Sequence, residues 1–258
     1  MYSIFWVLLM AHVLGDYYFQ NEELADRKKK SYKGVMTHSL VYLAVMMVFT
    51  IPYLNLCTLL LGVTAGVLHF VVDTAKYFIS KLEESANPKV HNWMKKFIGS
   101  GKLYVGDQVV HILLLMVVVF IYYMELMGPT YPEWLSRPVI SGISRWIRIV
   151  LAALILMKPT NITFKQLFGS IKPVKSEEVN YLADKSAGRM IGNLERILIL
   201  LLLLQNQFGA VGLVFTAKSI TRYNKIVEDK QFGEYYLLGT LFSLLASIVV
   251  YMVVVGAV

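Results

Sequence analysis

Cysteine and charged residues are both scarce in this sequence. One of its 258 residues is a cysteine, Cys57, which excludes an intrachain disulfide and the small secreted scaffolds that disulfides stabilise. Charged residues make up 16% of the chain, against about 25% in an average soluble domain, while 57% of the chain is hydrophobic. So apolar a chain is not intrinsically disordered either. The composition therefore predicts an integral membrane protein.

Acidic residues are the scarcer charge type, with 17 Asp and Glu against 25 Lys and Arg and a formal net charge of +8. In a soluble protein this balance would point to nucleic acid, but in a membrane protein it reports cytoplasmic loops and anionic lipid headgroups. Most of the cations fall in the first, third and fifth loops between the apolar runs of the chain. We therefore expect membrane lipids and no nucleic acid as partners, and an N-terminus outside the membrane.

Long apolar runs predict the fold class, because about 20 such residues match the thickness of the hydrocarbon core. They indicate an all-α, polytopic integral membrane helical bundle of about seven transmembrane helices, with six to eight compatible. The runs lie near Ser3–Gln20, Val35–Tyr53, Leu56–Phe78, Val105–Met127, Val139–Met157, Ile191–Phe215 and Tyr236–Val258. The topology of the last three stays open, because Arg145 and Arg148 lie in the fifth run and polar residues interrupt the sixth after Leu204. The first run lacks a basic start and a cleavage site, so we expect it to stay in the mature protein.

The runs divide the chain into three regions. Residues 1–127 are predicted to form a four-helix membrane core. Residues 128–190 are predicted to hold the fifth span and a basic cytoplasmic linker that contains Pro159 and Pro173. Residues 191–258 are predicted to form a C-terminal two-span membrane region.

Four of the five histidines lie in or at the margin of apolar runs, each accompanied by polar neighbours. In the first run His12 precedes Asp16 by four residues, which places both on one helical face. The third run repeats this order and spacing, and the fourth run reverses the order, as an antiparallel neighbour must if all groups are to meet at one depth. The histidines are His12, His38, His69 and His111, and the carboxylates are Asp16, Asp73 and Asp107.

Ionisable groups in a membrane are expected to face the bundle interior and find partners, because a charge near the bilayer centre costs about 2.5–3.5 kcal/mol on insertion scales. Imidazole and carboxylate at this density are the ligands of zinc and other divalent transition metals. We expect the four histidines to supply three or four metal ligands. One of the three aspartates, Asp16, Asp73 or Asp107, then completes the ligand set or acts as the catalytic general base. A purely structural hydrogen-bonded layer is the alternative for any single pair.

Four further residues are candidates for substrate binding. Gln20 extends the spacing of His12 and Asp16 by another four residues, and Gln108 follows Asp107 directly, so either could orient substrate or water. Lys218 and Arg222 could bind an anionic headgroup if the last loop is cytoplasmic.

The pattern predicts a membrane-embedded metal-dependent hydrolase, with zinc as the expected metal, acting on an amphipathic or lipid-like substrate at the inner leaflet. The alternative is a proton- or cation-coupled membrane transporter that uses the same histidines and aspartates. Haem ligation by histidine pairs and a scaffold with a structural polar layer are the remaining readings. The sequence leaves the substrate, the metal and the formation of a homo-oligomer open.

The combined motifs resemble an uncharacterised family of bacterial polytopic membrane proteins, a domain of unknown function. The resemblance covers roughly residues 4–125, through the spacing of histidine and aspartate and the element Thr37-His38-Ser39, and the residues from Gly192 to Thr240 resemble the longer members. It implies a bacterial inner (cytoplasmic) membrane location and no established activity. A weaker similarity, carried by His38 and its neighbours, is to inner-membrane metal-dependent hydrolases. This chain has Val13 after His12, where those enzymes carry an arginine.

Overall fold

The computed structural model describes residues 2–53, 56–85, 87, 100–125, 137–171 and 181–256. Every regular element in these ranges is helical, which confirms the all-α prediction. The α-helices are α1 Tyr2–Val13, α2 Glu22–Lys30, α3 Tyr32–Thr50, α4 Leu56–Ser85, α5 Ser100–Glu125, α6 Arg137–Phe168, α7 Tyr181–Leu204, α8 Phe208–Thr221, α9 Tyr223–Glu228 and α10 Lys230–Val250. Shorter turns of π-helix follow α1 at Leu14–Tyr18 and α10 at Tyr251–Val255.

Five segments in the described ranges are long and apolar enough to cross a membrane, and they support the prediction of a membrane protein. The segments are Tyr32–Tyr53, Leu56–Ser85, Leu103–Met124, Gly142–Phe168 and Lys230–Val255. The first apolar run appears as the shorter helical stretch Ile4–Tyr18, and the second half of the sixth run appears as Phe208–Thr221. Among the described residues, length and composition therefore support five spans, and the predicted count of about seven is not confirmed.

The chain forms two compact units, residues 1–151 and 152–258. In the first unit α3 packs against α1, α2 and α4, and α5 packs against both α1 and α4. In the second unit α7 packs against α8 and α10, and the short α9 packs against α10.

Helix α2 is a short segment with a side-chain cap at its start and a capping serine between it and α3. Asn21 Oδ1 accepts the N–H of Leu24 at 2.7 Å, and Ser31 Oγ accepts the N–H of Gly34 at the start of α3. No residue of α2 is buried, so its own apolar packing contributes little to holding it in place. Caps of this type stabilise a helix by about 1 kcal/mol each.

Glycine permits the closest helix approaches in the first unit. A Cβ on Gly34 would lie 2.3 Å from the backbone carbonyl of Arg27, so the C-terminal turn of α2 can rest against the start of α3 only because this side chain is absent. In α4, a Cβ on Gly66 would lie 2.6 Å from a methyl of Leu43 in α3. Small residues at such crossings let helix backbones approach closely in membranes.

The π-helical turn after α1 changes the spacing predicted for the first run. The N–H of Phe19 donates to the carbonyl of Leu14 at 2.8 Å, a step of five residues, and the helix ends at Tyr18. The α-helical spacing that was expected to carry Gln20 onto the face of His12 therefore stops before it. Wide turns of this kind occur often at functional sites.

Helix α6 continues through Pro159 to Phe168, where the sequence predicted the start of a linker. Proline cannot donate to the carbonyl four residues earlier, which here belongs to Ile155. The hydroxyl of Thr160 donates to that carbonyl at 2.7 Å and replaces the missing bond. Threonine thus allows the helix to run on into the predicted linker. Helix α7 already begins at Tyr181, and residues 172–180 of the predicted linker lie outside the described residues.

The sixth apolar run is divided, as its polar interruption indicated. Helix α7 ends at Leu204, α8 begins at Phe208, and Asn206 between them has a φ of 58°. Asparagine adopts this left-handed conformation more readily than most residues, and it lets the chain turn so that α8 packs back against α7. The predicted single span is therefore two helices.

We expect Gly34→Ala to destabilise the protein by about 1–3 kcal/mol, because the methyl group must push α2 away from α3. The check is the thermal unfolding midpoint of the purified chain in detergent. Gly106→Ala in α5 is the matched control: no heavy atom outside its own turn lies within 4 Å of the added carbon. A Gly34→Ala midpoint at or above that of Gly106→Ala would contradict the packing described here.

Candidate metal centre

The four histidines and three aspartates singled out in the sequence come together in the first unit. We call this group the His/Asp cluster; its members are His12, His38, His69, His111, Asp16, Asp73 and Asp107. Helices α1, α3, α4 and α5 supply the histidines, and Asp16 comes from the π-helical turn after α1. All four histidines are buried, and each aspartate side chain is less than a tenth exposed.

Two histidines and two aspartates form the centre of the cluster. His38 Nε2 lies 3.1 Å from His69 Nε2 and 3.1 Å from Asp16 Oδ1. Asp73 Oδ2 lies 3.5 Å from His38 Nε2 and 3.2 Å from His69 Nε2, and His69 Nε2 lies 3.3 Å from Asp16 Oδ1. We call these four residues the four-ligand set.

The separations within the four-ligand set have the size of a tetrahedral metal site. Zinc bonds to nitrogen and oxygen of about 2.0–2.1 Å place tetrahedral ligand atoms roughly 3.3–3.4 Å apart. The five separations that involve a histidine nitrogen run from 3.1 to 3.5 Å. Between two imidazole nitrogens at 3.1 Å there is room for a single proton, which pairs the nitrogens with each other but gives the two facing carboxylate oxygens no donor from that contact. A cation bound to all four atoms would interact with every one of them.

The other two histidines are held by one ring nitrogen each. His12 Nδ1 shares a hydrogen bond of 3.0 Å with the hydroxyl of Tyr42, and His111 Nδ1–H donates to the backbone carbonyl of Asp107 at 2.8 Å. In both rings the buried Nε2 has no hydrogen-bond partner. A histidine whose Nδ1 is held in this way presents Nε2 as a metal ligand.

Tyr42 organises the cluster from α3. Its ring stacks on that of His69 with centroids 3.6 Å apart and planes 5° apart, while its hydroxyl holds His12. A Cβ on Gly15 would lie 2.8 Å from a ring carbon of Tyr42, so the glycine of the π-helical turn leaves room for the tyrosine. Tyr42 was not predicted as a site residue, because a tyrosine of the site and a lipid-facing tyrosine look the same within an apolar run.

Two lysines border the carboxylates. Lys28 Nζ lies 2.7 Å from Asp73 Oδ2, and Lys76 Nζ lies 2.6 Å from Asp107 Oδ2. Their side chains are 16% and 32% exposed, so they line the more accessible edge of a buried cluster. The sequence analysis missed both. Lys76 could have been found, since it follows His69 by seven residues on α4, but Lys28 is one of four consecutive cations and nothing in the sequence singles it out.

The two glutamines that were predicted to orient substrate or water lie in different environments. Gln108 Nε2 donates to Asp16 Oδ2 at 3.2 Å, so it positions a carboxylate of the four-ligand set. Gln20 lies two residues beyond the end of the π-helical turn and is partly exposed.

Lys218 and Arg222, predicted to bind a headgroup, belong to the second unit. Lys218 Nζ pairs with Glu195 Oε2 at 2.5 Å, and Arg222 lines an open cleft of about 570 Å³ at the end of α8. Beside this pair, buried Arg196 donates to the carbonyl of Leu156 and to the amide oxygen of Asn161. These residues form a second polar group within the second unit.

Comparison with known proteins identifies a family and no individual relative. A sequence profile with the description "Protein of unknown function (DUF3307)" matches residues 4–135, about half of the chain, and this range contains the whole His/Asp cluster. No curated protein and no solved structure matches the chain. The resemblance to an uncharacterised family is thereby confirmed: the chain belongs to the family of proteins of unknown function DUF3307.

Proposed function

We propose that this protein is a membrane-embedded metal-dependent hydrolase. The observation that carries the proposal is the four-ligand set, a buried site in which two imidazole nitrogens lie 3.1 Å apart and each lies 3.1–3.5 Å from the carboxylate oxygens of Asp16 and Asp73. These separations match the edges of a tetrahedron of zinc ligands. Zinc is the metal that this mixture of nitrogen and oxygen ligands favours.

A divalent metal in this site would supply Lewis acidity and lower the pKa of a bound water to about 7. The chain's own residues supply the remaining functions. Oδ1 of Asp73 and Oδ1 of Asp107 are buried without a hydrogen-bond partner, so both are available to accept a proton from water. Gln108 holds Asp16, and Tyr42 holds the rings of His12 and His69.

The charges of the cluster favour an anionic substrate. With neutral imidazoles, three carboxylates and two lysines give a formal charge of −1, and one divalent cation changes this to +1. Lys28 and Lys76 lie at the accessible edge, where a phosphate group could contact their ammonium groups.

The predicted topology puts this edge beside the first cytoplasmic loop of a bacterial inner membrane, with the N-terminus outside. We therefore propose an amphipathic substrate that carries phosphate at the inner leaflet, such as a phospholipid or a polyprenyl phosphate. Membrane lipids then surround the protein and also provide its substrate.

We expect the full-length chain, purified in detergent after growth with zinc, to contain at least one zinc ion per chain. His38→Ala removes a ligand of the four-ligand set and should lower the zinc content by about one ion per chain, as measured by mass spectrometry of the metal. His91→Ala, which removes the fifth histidine, is the control and should leave the content unchanged. Absence of any stoichiometric transition metal, with a thermal midpoint that chelator does not move, would refute the proposed function.

We expect hydrolysis in proteoliposomes that contain phosphatidylglycerol or a polyprenyl phosphate, with loss of activity in chelator. Asp73→Asn should lower kcat by roughly 10²–10⁴-fold, because it removes both a ligand and a proton acceptor. Asp26→Asn, an exposed aspartate of α2, is the matched control. The transporter alternative is tested in the same vesicles: proton or cation flux that Asp73→Asn abolishes, without turnover of any lipid, would favour transport over hydrolysis.

Lys28→Met should raise the KM for a phosphate-bearing substrate by about tenfold without decreasing bound zinc, since the lysine contacts Asp73 from outside the ligand set. Lys29→Met is the matched control, because Lys29 is the next residue of the same cationic run and is exposed. Equal KM values for the two variants would contradict the assignment of Lys28 to substrate binding.

A further inference from the structure

Three members of the His/Asp cluster lie outside the four-ligand set: His12, His111 and Asp107. Each has one polar atom held by a neighbour and another that is buried without a hydrogen-bond partner. Nδ1 is held in both histidines, and Oδ2 of Asp107 is held by Lys76, which leaves Nε2 of His12, Nε2 of His111 and Oδ1 of Asp107 free. Leaving a buried donor or acceptor unsatisfied costs about 1–3 kcal/mol for each group. Three such atoms in one cluster therefore indicate a ligand that binds all three.

The three residues are linked by contacts through His111, whose ring stacks on that of His12 and whose Nδ1–H donates to the carbonyl of Asp107. The rings of His12 and His111 are stacked with centroids 5.7 Å apart, and the ring of His111 lies 4.3 Å from that of His69. Asp73, Asp107 and His111 each offer a ligand atom within 4.8 Å of the others. His12 makes a similar group with Asp16 and His69, so both groups include members of the four-ligand set.

We propose that His12, His111 and Asp107 hold a second divalent metal ion next to the first, so that the centre is dinuclear. The proposal rests on the proposed function, because it needs the four-ligand set to hold the first ion. Asp16 has two carboxylate oxygens and can bridge the two ions. Metal ions in such centres lie about 3.5–4 Å apart. Oδ1 of Asp73 then remains as a proton acceptor for water.

A second ion also narrows the substrate class. Two divalent cations bring the formal charge of the cluster to +3, which matches a phosphate ester better than a neutral carboxyl ester. Paired metals stabilise both the attacking and the leaving oxygen of an in-line displacement at phosphorus. In the hydrolysis of a phosphate monoester, water adds to phosphorus as the ester P–O bond breaks. The leaving alcohol takes up a proton, and inorganic phosphate is released.

The test is the zinc stoichiometry of the full-length chain in detergent, measured with each metal-ligand group changed in turn. We expect two zinc ions per chain in the wild type. His38→Ala changes the four-ligand set and His111→Ala the second set, and each variant should retain one ion. Asp107→Asn keeps the shape of the side chain and should also retain one, which covers the case in which His111→Ala does not fold. His91→Ala is the control and should retain two.

The outcomes separate the two proposals. One zinc ion in the wild type, retained in His111→Ala and Asp107→Asn and lost in His38→Ala, would overturn the dinuclear centre and leave the proposed function standing. No stoichiometric transition metal in the wild type, with a thermal midpoint that chelator does not move, would overturn both. Two ions in the wild type and one in each of the three cluster variants would establish the second site.

Discussion

The first unit depends on one constraint: polar groups that leave water must find partners within the protein. Four imidazoles and three carboxylates are buried between apolar helices, where each unsatisfied group carries a penalty. The penalty is reduced by bringing all of them to one point, so that each group serves as partner to another. A helix displaced from this bundle would leave several groups exposed to hydrocarbon at once. The cluster therefore fixes the relative positions of α1, α3, α4 and α5 more firmly than apolar contacts with lipid-like neighbours could.

Close packing makes this arrangement possible. Gly66 brings α4 against α3, Gly34 brings α2 against α3, and Gly15 leaves room for the ring of Tyr42. Each of these glycines replaces a side chain that would separate elements which have to meet. The same close approach brings Lys28, on a helix without buried residues, to within 2.7 Å of a carboxylate of the cluster. Packing and electrostatics here depend on the same few small residues.

Sequence periodicity was sufficient to predict the histidines and aspartates as one group, because spacings of four residues on antiparallel helices fix both face and depth. It was insufficient where a local feature overrides the period. The π-helical turn at Leu14–Tyr18 ends the spacing before Gln20, and Thr160 lets α6 continue past Pro159. Lys28 was missed because a cation in a basic loop is explained equally well by membrane topology. The hydrogen bond between Tyr42 and His12 depends on how α1 and α3 pack, which no local pattern encodes.

The contact between Lys28 and Asp73 Oδ2 has a thermodynamic consequence. This oxygen belongs to the four-ligand set, so any cation bound there competes with the ammonium group for the same electron pairs. By thermodynamic linkage this competition is reciprocal. The factor by which the docked lysine lowers the affinity for a cation equals the factor by which a bound cation weakens the docking of α2. If a cation binds in the four-ligand set, its binding is therefore energetically coupled to the docking of the short basic helix α2.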